Sequence, residues 1–411
     1  MTAAASNDGV IDDEWCAHRF DHMSPELGRD LHATMARMRD DHPIARSEEH
    51  GGFWLISRYE DVVRVSQDWE SFSSAHGITV PFRPTSMPAL PEQVDPPLHR
   101  EYKRLINSHF SPAVVAEHEP AVRALVDSLI DDFVEAGACD FMGAFAQPFP
   151  GLVFFDQFLH APADELVEIN RLAAIASTPY TQEAIEARIN MLRWIGAFAE
   201  RRRGEEPLGD VVDAVLNAEI EGRPITDQEI VGVIQLLLFG GLDTTAGALG
   251  MIMVRFCNEP AIPELLRSRP EVIPDAVEEL LRLDGPFAFI GRTAMRDVEL
   301  GGATIHEGDK VLLSWVSANR DEGEFANAAT FDLERASNRH VAFGAGPHRC
   351  AGSHLARMNM RIALEQIVDR LHDLRLQDPA EPIPFHSAYN RSPVSVPIAF
   401  RPGSRLGFAA S

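Results

Sequence analysis

The sequence predicts a mainly helical protein with a small β region, and three observations support that class. Helical periodicity dominates the long stretch from His99 to Leu283. Strand-like segments are short and lie before residue 57, between 298 and 315, and near the C-terminus. The 411 residues contain no Gly/Ser linker, repeat or low-complexity block, so residues 21–411 read as one domain.

From the N-terminus, residues 1–20 read as a disordered leader, with Met1–Asp12 small and acidic. They lack the basic start and apolar run of a signal peptide. Ile44–Arg46 and Gly52–Ile56 read as a hairpin, followed by a helix over Tyr59–Gln67. Ile78–Pro97 carries Pro81, Pro84, Pro88, Pro91, Pro96 and Pro97, which predicts a loop. Thr226-Asp-Gln-Glu229 is a capping box, a hydroxyl and a carboxylate three residues apart before an apolar run. Asn258-Glu-Pro260 is the matching stop. The helix between them is roughly 48 Å long at the usual rise, and its apolar middle predicts a path through the core. Short strands follow at Val298–Leu300 and Val311–Trp315, then a last long helix over Ser353–Leu371.

Composition narrows the function. A net charge of −25 argues against nucleic acid as a partner. The longest apolar run, Val231–Phe239, is too short to span a bilayer, so no membrane anchor is expected. Cys16, Cys139, Cys257 and Cys350 are scattered without a disulfide framework, which suits a reducing cytoplasm.

Two segments carry chemistry. In Phe343-Gly-Ala-Gly-Pro-His-Arg-Cys350-Ala-Gly352 a cysteine follows a glycine-bearing turn and precedes a helix. Helix N-terminal amides favour the thiolate, and Gly344 and Gly346 permit unusual backbone dihedrals. Spacing alone suggests a reactive or metal-bound thiol. In the middle of the long helix, Gly240-Gly241-Leu-Asp243-Thr244-Thr245 collects poor helix formers. Two accounts stand side by side: a close helix crossing, or a local widening with a carboxylate and a hydroxyl at a proton-delivery point.

The cysteine string resembles the haem-ligand loop of the cytochrome P450 family, and the resemblance covers nearly the whole chain after Asp30. It implies haem b, with Cys350 as iron ligand and Gly344 in its loop. Thr244 would hydrogen-bond dioxygen and Asp243 would relay protons from solvent. Glu279 and Arg282 would join a third basic residue, Arg335 or else His340, in a buried structural network. The propionates would meet His99, Lys103 (where arginine is commoner), Arg292 and His348. Similarity is nearest to the camphor-hydroxylase branch, through Phe82-Arg-Pro-Thr-Ser-Met87, Phe145-Ala-Gln-Pro-Phe-Pro150, Gly222-Arg-Pro-Ile-Thr226 and Leu236-Leu-Leu-Phe-Gly-Gly-Leu-Asp243. Two departures matter: the substrate tyrosine of that branch is replaced by an aliphatic residue near Val80, and extra residues precede Asp95-Pro-Pro97. Camphor itself is therefore not the expected substrate.

By the same resemblance the pocket wall comprises Val80, Thr85, Leu236, Phe239, Gly240, Phe287, Ala288 and Phe289, suited to a compact apolar ligand. Arg83 is the one charged residue of the loop core, to be met by solvent or by a substrate carboxylate. The chain ends about sixty residues after Cys350, which implies an external reductant. A 2Fe–2S ferredoxin with an NAD(P)H-dependent reductase is expected, docking on Arg100, Lys103, Arg349 and Arg357. The expected protein is a cytoplasmic monomer that inserts one atom of O2 into a small apolar substrate. The rivals are a peroxide-driven oxidase on the same haem and a non-catalytic haem sensor.

Overall fold

The computed structural model describes residues 11–81, 87–176, 181–385 and 391–407. Four helices position the site: α1 (Leu98–Asn107), α2 (Asp227–Asn258), α3 (Ile273–Asp284) and α4 (Ser353–Arg370). The capping box forms in both directions at the start of α2. The Glu229 N–H donates to the Thr226 hydroxyl at 3.3 Å, and the Glu229 carboxylate accepts the Thr226 N–H at 2.8 Å. The helix then runs its full 32 residues through the core. Among the described residues it is the one helix long and apolar enough to cross a membrane, and 67% of its most apolar stretch is buried inside the protein. α3 and α4 pack on each other and on α2.

A five-stranded sheet flanks the helices. Its strands are β1 (Ile44–Ser47), β2 (Phe53–Ile56), β3 (Phe72–Ser73), β4 (Phe289–Ala294) and β5 (Lys310–Ser314). The spatial order is β1-β2-β5-β4-β3. Ile44 pairs with Ile56 across the hairpin, Leu312 with Leu55 in parallel, and Leu312 with Gly291 antiparallel. A smaller sheet sets Pro397–Arg401 between Ala138–Asp140 and His372–Leu376.

The hairpin, the helix over Tyr59–Gln67 and the long helix stand where the sequence puts them. Four expectations are corrected. The leader is ordered well before residue 20: Asp12 caps a helix over Asp13–His18, and Cys16 and Phe20 are fully buried. β4 is a strand buried at all six positions, which hides the alternation that marks a half-exposed strand. Trp315 opens a short helix, Trp315–Ala318, rather than closing β5. Finally, of the two accounts of Gly240–Thr245 the local widening is corrected, because α2 is continuous α-helix through the segment. Wide turns of π-helix occur instead at Met142–Ala146, which packs on α2, and at Phe155–Leu159.

Candidate active site

The cysteine loop is built by its backbone. Gly344 and Gly346 take positive φ of 73° and 71°. A side chain at Gly346 would also run into the Ser66 backbone, so this turn admits little else. The Cys350 N–H donates to the Phe343 carbonyl at 2.8 Å, closing the loop just before α4 begins at Ser353. Cys350 keeps exposed surface. Protein atoms nonetheless surround the thiol closely, and that burial raises its pKa. The Gly352 N–H, Lys103 and Arg349 act in the opposite direction. The residue is thus exposed while the surroundings of its sulfur disfavour the charged form.

The middle of α2 presents a second open face. Between 230 and 253, surface remains at Leu236, Phe239, Gly240, Asp243 and Thr244, with Gly241 partly covered, while the other positions are buried. The spacing is one helical stripe. The two glycines have opposite reasons. A side chain at Gly241 would strike the Phe154 ring at 2.8 Å, whereas one at Gly240 would meet nothing within 4 Å. Close crossing explains the first, and an open recess explains the second. The Thr244 hydroxyl donates to the Gly240 carbonyl at 2.9 Å, a bond to the residue four back that leaves its oxygen free to accept.

The expected pocket wall divides. Leu236, Phe239 and Gly240 line the open stripe, and Phe287 is half-buried. Val80, Ala288 and Phe289 are instead 2%, 0% and 0% exposed, in a core cluster with Phe20 and Phe53. They back the wall rather than line it. Thr85 and Arg83 lie outside the described residues.

Near the loop, buried bases gather. His99 on α1 and His348 stand with ring centroids 4.4 Å apart. Each has a buried Nδ1 without a hydrogen-bond partner. Burial holds His99 down to about 4 and His348 to about 2, so both rings are neutral near pH 7. The Ser74 hydroxyl lies 3.2 Å from His348 Nε2. Arg292 is buried on β4. Lys103 departs from expectation: its ammonium donates to the Pro347 carbonyl at 2.5 Å and the Arg349 carbonyl at 2.6 Å, clasping the cysteine loop. Sequence reasoning missed Glu92. The extra residues before Asp95 dock on α2 through Leu90 N–H to the Gly232 carbonyl at 3.1 Å. They set Glu92 3.8 Å from His348, where burial raises its carboxyl to about 6 against the pull of Arg292 and Lys103. The unusual loop length was the only signal.

The structural network assembles as expected, with Arg335 as its third member. Glu279 accepts from Arg282 at 2.7 and 2.8 Å, from Arg335 at 3.3 Å and from the Asp332 N–H at 3.0 Å. His340 pairs instead with Glu278 at 3.0 Å. Arg357 joins that pair at 2.7 and 2.8 Å and stacks on Phe343, 4.4 Å from its centroid. Burial pushes the Glu278 carboxyl up, but His340 and Arg357 outweigh it and hold the group near 2. Arg357 is therefore paired with Glu278 and stacked on Phe343. Arg100 and Arg349 are exposed.

A cleft of about 280 Å³ lies elsewhere, between the helix over Pro112–Glu117, α3 and α4. None of residues 343–350 and none of the α2 stripe lines it, so it is not this site. The donor set fits a haem: an open thiol at a helix start, orphaned neutral imidazole nitrogens and a buried arginine for its acid groups, and a helix face with no side chain at Gly240.

Comparison with known proteins agrees. The family profile described as Cytochrome P450 matches residues 268–387. Probable cytochrome P450 127A1 of Sinorhizobium fredii is 35% identical over 367 residues, 88% of each chain. Linalool 8-monooxygenase of Pseudomonas putida is 31% identical over 375 residues, 84% of this chain and 90% of that one. The structure of cytochrome P450 CYP109Q5 from Chondromyces apiculatus superposes with a TM-score of 0.84 at 29% identity, covering 95% of this chain and all of that one.

Proposed function

The chain belongs to the cytochrome P450 family of haem-b monooxygenases, and from that premise we propose that it oxidises a compact, largely apolar substrate in the recess between the α2 stripe and Cys350. The single observation behind this reading is the open but desolvated Cys350 thiol, with the orphaned His99 and His348 nitrogens near its loop. When bound, the haem supplies activation of O2. The protein's own groups supply the rest. Cys350 would supply the thiolate to the haem iron, and His99, His348 and Arg292 would meet its acid groups. Lys103 fixes the loop through its two carbonyls. Thr244 offers a hydroxyl and Asp243 a carboxylate on one helical face, so a proton reaches the recess by way of α2. Leu236 and Phe239 exclude water and orient an apolar ligand.

The relative that acts on linalool supports a substrate of terpenoid size. Electrons come from a ferredoxin with its NAD(P)H-dependent reductase, docking near Arg100 and Arg349, in the cytoplasm. The test is a panel of monoterpene alcohols and similar apolar compounds. A ligand that converts the Soret band from low-spin to high-spin should also support NADH-dependent product with a ferredoxin system. A panel that yields spin shifts but no product would leave the sensor reading in its place.

A further inference from the structure

A second cluster of ligating side chains packs against Phe53 and Phe289. Asp21, His22 and His50 each offer one ligand atom, and these atoms lie within 4.8 Å of one another. His50 Nε2 is 2.7 Å from Asp21 Oδ1, and the His22 and His50 ring centroids are 5.3 Å apart. The residues come from two places, the arm after the first helix and the turn of the β1–β2 hairpin.

Three features set the cluster apart from an ordinary Asp–His pair. His22 is fully buried among aromatics, its ring 5.6 Å from Phe53 and 5.9 Å from Phe289. Burial pushes it down to about 4, so it offers a neutral imidazole at pH 7. His50 holds φ 52° and ψ 28°, left-handed for a residue with a side chain, in a turn completed by Gly51 and Gly52. Asp21 is fixed by the Met23 N–H at 2.8 Å. Asp21 and His50 stay partly exposed, which gives an ion a way in.

We propose that Asp21, His22 and His50 form a binding site for a divalent transition cation of the zinc type. Two imidazoles and one carboxylate suit such an ion better than magnesium or calcium, which prefer oxygen ligands. Water fills the remaining positions. On binding, the Nε2 proton that bridges His50 and Asp21 moves to Nδ1 or leaves to solvent, and both atoms turn to the metal. The ion ties the N-terminal arm to the hairpin beside Phe289, so its role is to clamp that layer of the fold.

The test uses haem-loaded protein stripped with a chelator, desalted and titrated with Zn²⁺ alone by calorimetry. One tight equivalent per chain is expected, with a rise in Tm at saturation and no such effect from Mg²⁺. Asp21→Asn and His50→Ala should each weaken that equivalent at least about tenfold while keeping the haem spectrum, which certifies the fold. A wild-type isotherm without a tight equivalent, or one unchanged in both variants, overturns the site and leaves a hydrogen-bonded pair only.

Discussion

Two buried charged clusters lie within this fold, and they differ in how fully they are closed. Around Glu279 the charged groups are all answered, although Oδ1 of Asn338, whose amide donates to Glu279 at 3.2 Å, is buried without a partner. Both carboxylate oxygens accept hydrogen bonds, and Arg282 reaches the Asn319 and Ala328 carbonyls at 2.8 and 2.6 Å. Around His99 and His348 the groups stop short, with two imidazole nitrogens and one Glu92 oxygen buried without partners. A closed cluster serves the fold, because removing any member strands another in low dielectric. An open one serves a ligand, because its unsatisfied groups cost stability until something binds.

The comparison breaks most visibly at Glu279. Glu279→Ala should cost about 3–5 kcal/mol, the usual penalty for leaving a buried charge unpaired. Chemical denaturation should show it with and without haem. The open cluster should behave otherwise. His99→Leu or His348→Leu should leave the stability of the haem-free protein nearly unchanged. Haem transfer to an acceptor globin should quicken about ten- to hundredfold, as expected for one lost hydrogen bond to a charged group at ~1.5–3 kcal/mol. If these variants unfold as readily as Glu279→Ala, the distinction fails.

The α2 stripe gives a smaller effect. Thr244→Ala should retain the substrate-induced spin shift while product per NADH falls on the order of tenfold and peroxide rises. Full coupling in this variant would remove Thr244 from proton delivery. The smallest effect belongs to the surface. Arg349→Glu should slow ferredoxin-supported reduction by a few-fold, about 1 kcal/mol, and lessen its salt dependence. Arg357→Glu should lower stability as well, since it opposes Glu278 and leaves Phe343. Equal and purely kinetic effects at both sites would contradict the distinction between them.

Much of this was legible in the sequence because it is written in local chemistry. The capping box, the stop at Asn258-Glu-Pro260 and the hairpin depend on neighbours in the chain, and they appear where expected. The Glu279–Arg282 spacing and the cysteine string are likewise local. What escaped depends on distant contacts. β4 lost its alternation because both of its faces are covered. Whether Arg357 is free depends on Glu278, 79 residues away. Val80, Ala288 and Phe289 read as pocket wall until the ordered N-terminal arm, with Phe20 against Phe289, is seen to cover them. Gly240 and Gly241 are identical letters, and only the position of Phe154 separates them.

The central claim is that Cys350, open yet desolvated at the start of α4, is the iron ligand. The most direct measurement is the absorption spectrum of the reduced carbonyl complex in the wild type and in Cys350→Ser. Thiolate ligation predicts the strongly red-shifted Soret band in the wild type and its complete loss in the variant. Cys16, Cys139 and Cys257 cannot restore it, since they lie in the helix over Asp13–His18, the strand over Ala138–Asp140 and the last turn of α2, not in the glycine-framed loop. A Cys350→Ser protein that keeps the red-shifted band would contradict the account.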